Sequence, residues 1–97
     1  MITTKQRSVL RGMANSLKPT VTIGKSGLTP NIVKEIEIGL YHNEMIKITL
    51  LPSCEITARE VAEQVSKTLA ADVVQCIGKK AVFYKFSDKE GIEHLVF

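Results

Sequence analysis

The sequence is short of the residues on which several classes of protein depend. Its 97 residues include two cysteines, no tryptophan and only 5% aromatic residues. Cys54 and Cys76 stand alone, without a CxxC pair or a neighbouring histidine pair, so neither a disulfide framework nor a zinc site is predicted. We therefore expect a protein of the reducing cytoplasm that holds no metal and needs no cofactor.

Long apolar runs are also missing. The richest stretch, Met45–Leu51, is interrupted by a lysine and falls far short of the roughly 18 residues that cross a bilayer. Lys5, Arg7 and Arg11 stand where a secretory signal would need its apolar segment. With 44% hydrophobic and 24% charged residues, the chain has the composition of a soluble globular protein, and its length predicts one domain over residues 1–97.

Acidic residues are absent before Glu35, and this makes the charge distribution uneven. Residues 1–27 carry five basic groups and no acid, and residues 77–86 carry three more without an acid. The segment 28–76 between them holds seven acids against four basic groups. The two basic segments would form a polyanion-binding surface if folding brings them together, whereas two separate solvated surfaces are the alternative.

Hydrophobic periodicity and capping signals predict seven elements in the order α-β-α-β-α-β-β. The predicted helices lie at 4–17, with Thr3 or Thr4 as N-cap, from Pro30 to about His42, and after a capping box at Thr57–Glu60. The predicted strands lie at 20–23, 45–51, 73–77 and 81–86. This order predicts an α/β fold with a four-stranded mixed sheet whose faces are covered by helices. The core is expected over residues 3–86, and the tail from residue 87 shows no clear pattern.

The first predicted helix is amphipathic. Its apolar residues recur at helical spacing: Val9, Leu10, Met13, Ala14 and Leu17. At 100° per residue, Arg7, Arg11 and Lys18 fall within about 40° of one another, so they form a positive stripe away from the apolar residues. We expect this stripe to face solvent or a ligand.

The segment Gly24-Lys25-Ser26-Gly27 lies between a predicted strand and a predicted helix, where backbone amides and the helix dipole are available to an anion. The glycines permit a tight turn and a close approach of a sugar-phosphate chain, as in the GxxG loops of KH domains. A purely structural turn is one alternative. A triphosphate-binding loop is another, but its first glycine would fall at Pro19.

Residues suited to catalysis are few. His42 and His94 lie in no HxxxH or HxE pattern and are expected at the surface, while Cys76 is expected to pack in a core strand. We predict no catalytic residue, no metal ligand and no enzymatic activity. Most aromatic residues are expected in the core, since they are not interspersed with basic residues as a base-stacking surface requires. The four considered are Tyr41, Phe83, Tyr84 and Phe86.

Six segments carry a resemblance to a known family. In chain order they are Lys5–Gly12, Leu17–Pro19, Ile23–Thr29, Asn43–Ile48, Val61–Ala62 and Val74–Lys85. Together they resemble the CRM domain, named for chloroplast RNA splicing and ribosome maturation, in the stand-alone bacterial form of the YhbY-like proteins. The resemblance covers residues 3–86, and the order of the segments is more specific than the glycine loop alone.

The resemblance implies a fold similar to the C-terminal domain of a bacterial translation initiation factor, with the GxxG loop used for RNA. It links bacterial members to precursors of the large ribosomal subunit and plant members to group II intron splicing. We therefore expect a monomeric RNA-binding ribosome-assembly factor without membrane contact, or alternatively a protein-interaction module acting through the acidic middle segment. The expected RNA-binding residues are Gly24, Lys25, Ser26, Gly27, Arg7, Arg11, Lys18, Lys79 and Lys80.

Overall fold

A computed structural model describes residues 2–97, and within that range the elements follow the predicted order. The helices are α1 (Thr4–Ala14), α2 (Pro30–Asn43) and α3 (Ala58–Leu69). The strands are β1 (Val21–Ile23), β2 (Met45–Leu50), β3 (Asp72–Ile77) and β4 (Lys80–Tyr84). The predicted α/β class is confirmed. No helix within the described range is long and apolar enough to cross a membrane.

The four strands form one mixed sheet, as the alternation of elements predicted, and their order in the sheet is β1-β2-β4-β3. β1 and β2 are parallel, whereas β4 runs antiparallel to both of its neighbours. The carboxyl ends of β1 and β2 and the amino end of β4 therefore meet at one end of the sheet, here called the loop end. The opposite end, where α2 and β4 finish and residues 85–97 begin, is called the tail end.

The helices cover the two faces of the sheet unequally. α2 and α3 pack on one face, over a core that includes Ile36, Ile48 and Phe83. α1 covers part of the other face through Leu10 and Ala14. At about 25 cal/mol per Å² of apolar surface buried, the continuous core beneath α2 and α3 is the main source of stability.

Side-chain caps begin all three helices. The predicted capping box at Thr57 is present, since its Oγ1 accepts a hydrogen bond from the Glu60 amide while the Glu60 carboxylate accepts one from the Thr57 amide. Thr3 forms a second capping box with Gln6, and Thr29 accepts from the Ile32 amide. Each cap satisfies amides that the first turn of a helix leaves unpaired.

The prediction for the first helix was wrong at its carboxyl end and at Val9. α1 ends at Ala14 rather than Leu17, because the Ser16 hydroxyl donates to the Met13 carbonyl and the chain turns there. Leu17 still packs into the core beneath α1. Val9 is 43% exposed, so it lies at the edge of the apolar face.

The expected burial of Cys76 and of two aromatic residues was also wrong. Cys76 lies near the end of β3, an edge strand, where burial falls away beyond the buried Val74. Phe86 follows the end of β4 and is 64% exposed, and Tyr41 lies on the outer side of α2. Phe83 and Tyr84 are buried as expected, because they belong to a strand with a neighbour on each side.

The tail, for which the sequence showed no pattern, packs against the α1 side of the sheet. Leu95 and Phe97 join the core beneath α1, where the ring of Phe97 meets that of Tyr84 edge to face at 5.0 Å. Glu44, which follows α2, is fully buried and anchors this segment. The tail therefore belongs to the packed structure.

Candidate nucleic-acid interface

The loop Gly24–Gly27 is a tight turn at the loop end. The Gly27 amide donates to the Gly24 carbonyl at 3.0 Å, which places Lys25 and Ser26 at the two corners of the turn, both exposed. The turn leads into α2, whose first turn contains no acidic residue. The positive end of the helix dipole is thus not neutralised locally, which favours an anion beside the loop.

The two glycines of the loop have different structural requirements. Gly27 adopts φ +70°, a left-handed conformation that strains residues with a Cβ atom. Gly24 does not adopt a positive φ, and a Cβ added there would lie 3.5 Å from the Leu51 side chain, an ordinary contact. The turn therefore needs glycine at position 27, whereas at position 24 glycine leaves the backbone open to a close approach from outside.

The loop and the Gly78–Lys79 turn lie at the same end of the sheet. The Leu51 amide donates to the Ile23 carbonyl at 2.9 Å, and the preceding Leu50 amide donates to the Lys79 carbonyl at 2.7 Å. Two consecutive residues of the chain thus hold the ends of β1 and of the β3–β4 turn on either side of β2. Two strand spacings separate these ends, which is roughly 10 Å.

The basic residues of α1 are distributed differently from the predicted stripe. Arg7 is half-buried, and its Nε donates to the Val73 carbonyl at 3.0 Å, near the start of β3 and therefore toward the tail end. Arg11 is exposed one turn further along. Lys18 lies beyond the end of α1, just before β1. Leu17 and Thr20, which flank Lys18, line a depression with Met45 and Leu95 at the tail end. The structure therefore places Lys25, Lys79 and Lys80 at the loop end, but leaves Arg7 and Lys18 toward the tail end.

Three polar residues at this surface were missed by the sequence analysis. Lys47, on the central strand β2, lines a depression with Asn15 and Gln75. The signal was available in the alternation of β2, where Met45, Lys47 and Thr49 share one face. A lysine and a threonine on that face indicate that it is only partly covered.

Charges at the two ends are paired differently. Within residues 2–97 the only ion pair closer than 4 Å joins His94 to Glu44, at the tail end. In the same range, no carboxylate forms such a pair with Lys25, Lys79 or Lys80. The ammonium groups, backbone amides and hydroxyl at the loop end form an arrangement that is suited to hold a phosphate.

The Glu44 carboxylate is bound entirely by the tail. Burial by itself would raise the pKa of Glu44. Hydrogen bonds from the Ser87 amide, the His94 ring and the Leu95 amide outweigh the effect of burial, so the pKa lies below its ordinary value. These bonds are 2.8, 2.7 and 3.0 Å long. His94, expected to be a simple surface residue, is therefore part of the anchor.

Exposed aromatic residues lie away from the loop end. Tyr41 and Phe86 line a groove of about 370 Å³ at the tail end, together with Glu37 and Asp88. Phe86 stacks on the His94 ring at 4.3 Å. The lysine-rich end thus offers charge and backbone groups, and no aromatic side chain of the described residues lies there for base stacking.

Comparison with known proteins identifies the class to which this fold and surface belong. Residues 2–85 match the family model described as the CRS1 / YhbY (CRM) domain. The chain belongs to this family, and the expected resemblance is confirmed.

Relatives match along nearly the whole chain. A Bacillus subtilis protein named "Probable RNA-binding protein YqeI" is 39% identical over 87 residues, covering 90% of this chain and 91% of the relative. A Haemophilus influenzae protein named "RNA-binding protein" is 34% identical over 92 residues, covering 95% and 93%. Both names describe RNA binding and neither describes an enzymatic activity.

A solved structure has the same fold. The solution structure of the Staphylococcus aureus protein SAV1595 superimposes with a TM-score of 0.78 at 35% identity. The match covers 96% of this chain and 98% of that protein. The two chains thus share one architecture from end to end.

Proposed function

We propose that this protein binds RNA through its loop end, gripping the sugar-phosphate backbone, and that it performs no catalysis. The observation that carries the proposal is the pairing of Leu50 with Lys79 and of Leu51 with Ile23. This pairing holds the end of β1, which leads into the loop Gly24–Gly27, about 10 Å from the Gly78–Lys79 turn, on the other side of β2. Two cationic segments that are distant in sequence can therefore contact one RNA.

The chemistry of this surface supports backbone contacts over base contacts. The surface offers the positive charges of Lys25, Lys79 and Lys80, together with the backbone amides of the loop and the Ser26 hydroxyl. Groups of this kind bind phosphates and sugars without distinguishing one base from another. Without aromatic stacking, selectivity has to come from the shape of a folded RNA or from a second partner. Arg11 extends the surface along α1, whereas Lys18 lies toward the tail end between Leu17 and Thr20. Arg7 contributes mainly through its bond to β3.

A salt titration tests the phosphate contacts. About four to six contacts give a log-log slope of Kd against salt of roughly 3 to 5, which fluorescence anisotropy with a labelled RNA hairpin would measure. A slope near zero would contradict the proposal, because a protein that neutralises phosphates must release counterions.

The cellular target that we propose is a precursor of the large ribosomal subunit, bound in the cytoplasm by a monomer. The names of the relatives support RNA as the partner, and the family resemblance supports a pre-ribosomal one. We expect the protein to sediment with immature large-subunit particles at low salt, and loss of the gene to slow the maturation of that subunit. Equal association with mature 70S ribosomes would contradict this assignment.

One observation favours a second candidate, a protein-interaction module. The groove at the tail end exposes Tyr41 and Phe86 beside Glu37 and Asp88, a combination suited to protein contact rather than to RNA. Replacing Phe86 with Ala should leave RNA affinity unchanged. If the substitution instead abolished association with ribosomal particles, the groove rather than the loop end would carry the function.

A further inference from the structure

The face of the sheet beneath α1 is covered only in part. α1 and the tail cover the region around Met45 and Tyr84, but the region toward the loop end stays open because α1 finishes at Ala14. A depression of about 260 Å³ remains there. It is lined by Asn15, Lys47, Gln75, Ile77, Lys80 and Val82.

Two lysines lie diagonally across this depression. Lys47 pairs with Val82 and Thr49 pairs with Lys80, so Lys47 and Lys80 are diagonal neighbours on the same face. The Cα atoms of such neighbours lie roughly 7 to 8 Å apart. No carboxylate lines the depression. Because two positive side chains on one face repel each other and no carboxylate lies between them, the arrangement favours an anion that both ammonium groups can reach.

Two amide side chains lie beside the lysines. Within the described part of the chain, neither Asn15 nor Gln75 makes a side-chain hydrogen bond, and Gln75 is half-buried in the depression wall. An amide side chain can both donate and accept hydrogen bonds, and so can a hydroxyl group, so the two can pair with each other. Ile77, 64% exposed, adds an apolar surface of the kind against which a sugar ring can pack.

We infer that this depression is a second nucleic-acid contact, which holds one phosphate between Lys47 and Lys80 and the adjacent ribose 2′-hydroxyl against Gln75 and Asn15. It would make the protein prefer RNA to DNA, because the 2′-hydroxyl is the group that differs between them. The depression is continuous with the proposed RNA-binding surface, since Lys80 pairs with Thr49, which pairs with Thr22 of β1 just before the loop. The inference rests on the proposed function and adds this subsite to it.

The charge contribution is tested with Lys47→Gln and Lys80→Gln, which remove the positive charge and keep a polar side chain that is one atom shorter. Each should weaken binding of both an RNA hairpin and a DNA hairpin of the same sequence by about fivefold and lower the salt slope by about one. Lys67→Gln, on α3 at the opposite face, is the matched control and should change neither quantity. Affinities of all three variants equal to that of the unchanged protein would overturn the phosphate assignment.

The amide contribution is tested with Gln75→Met combined with Asn15→Ala, compared with Gln64→Met on α3. The double substitution should lower the preference for RNA over the DNA hairpin by about fivefold while leaving DNA affinity unchanged, since only the hydroxyl contact is lost. A 2′-O-methyl RNA hairpin should bind the unchanged protein more weakly than RNA but bind the double variant equally. An unaltered RNA preference in a folded double variant would overturn the hydroxyl assignment, whereas failure of the unchanged protein to bind RNA would refute the proposed function itself.

Discussion

At the tail end of the sheet a single buried carboxylate, Glu44, is bound by three groups, while at the loop end Lys25, Lys79 and Lys80 form no ion pair with any residue from 2 to 97. Both ends are built from the same four strands. The difference separates the end at which charge stabilises the fold from the end that we propose for a ligand. Buried charge has to be satisfied within the protein, whereas exposed unpaired charge is free to bind an external anion.

The largest expected effect concerns stability at the tail end. Replacing Glu44 with Ala removes the acceptor for the Ser87 and Leu95 amides and for His94, and should lower the free energy of unfolding by about 3 kcal/mol. Urea denaturation measures this loss. Replacement of the exposed Glu90 with Ala is the control and should change stability by less than about 0.5 kcal/mol. RNA affinity of folded Glu44→Ala protein should match that of the unchanged chain, and a large loss of affinity would contradict the separation of the two ends.

The complementary substitution reverses charge at the loop end. Replacing Lys25 and Ser26 together with Asp should weaken RNA binding by about 2 to 3 kcal/mol, because the corners of the turn would then repel phosphate. Thermal unfolding should be nearly unchanged, since both side chains are exposed. Anisotropy and circular dichroism measure the two properties, and unchanged affinity in a folded variant would assign the loop to structure alone.

A finer comparison separates the two glycines of the loop. Gly27→Ala should lower stability by about 1 kcal/mol, because alanine is strained at φ +70°. Gly24→Ala should leave stability nearly intact and weaken RNA binding, because its methyl group, beside the exposed Leu51 side chain, would hinder a close approach of the RNA to the backbone of the loop. Denaturation and binding measured on both variants check this contrast, and a binding loss confined to Gly27→Ala would contradict it.

The sequence was sufficient for the elements that local chemistry specifies. The capping box at Thr57, the N-cap at Thr29 and the alternation of β2 each act within a few residues, so the order of helices and strands and the fold class could be predicted. The GxxG loop could be located for the same reason. The sequence could not show that the loop lies near the Gly78–Lys79 turn, because this proximity depends on the pairing of the strands. The two basic segments only suggested it.

Long-range features could not be predicted. The role of Glu44 depends on groups 43 to 51 residues away along the chain, and nothing local marks that pairing. The exposure of Cys76 follows from the position of β3 at the sheet edge, which element order alone does not determine. The alternation of apolar and polar residues in β2 could have shown which face of the sheet Lys47 lies on. That it lines an open depression follows only from the early end of α1 at Ala14.

The smallest expected effect is the pH dependence of the tail end. Because the pKa of Glu44 is lowered by folding, its contribution to stability is complete above the ordinary glutamate pKa of about 4.5 and is lost as the pH falls through the lower folded value. The stability difference between the unchanged protein and Glu44→Gln should therefore shrink below pH 4.5 in thermal melts. His94 is the other titratable group on this carboxylate, so His94→Gln serves as the companion variant. A stability difference between the unchanged protein and Glu44→Gln that stays constant down to about pH 3 would contradict the lowered pKa of Glu44.

The contrast between the two ends is tested most directly by a two-dimensional amide NMR titration with an RNA hairpin at low salt. The account predicts that signals of Gly24 to Leu28, Lys47 and Gly78 to Lys80 shift with increasing RNA, while those of Tyr41, Ser87 and Leu95 do not. Shifts confined to the tail end would contradict the account, because they would place the RNA on the end that the fold uses for its own stability.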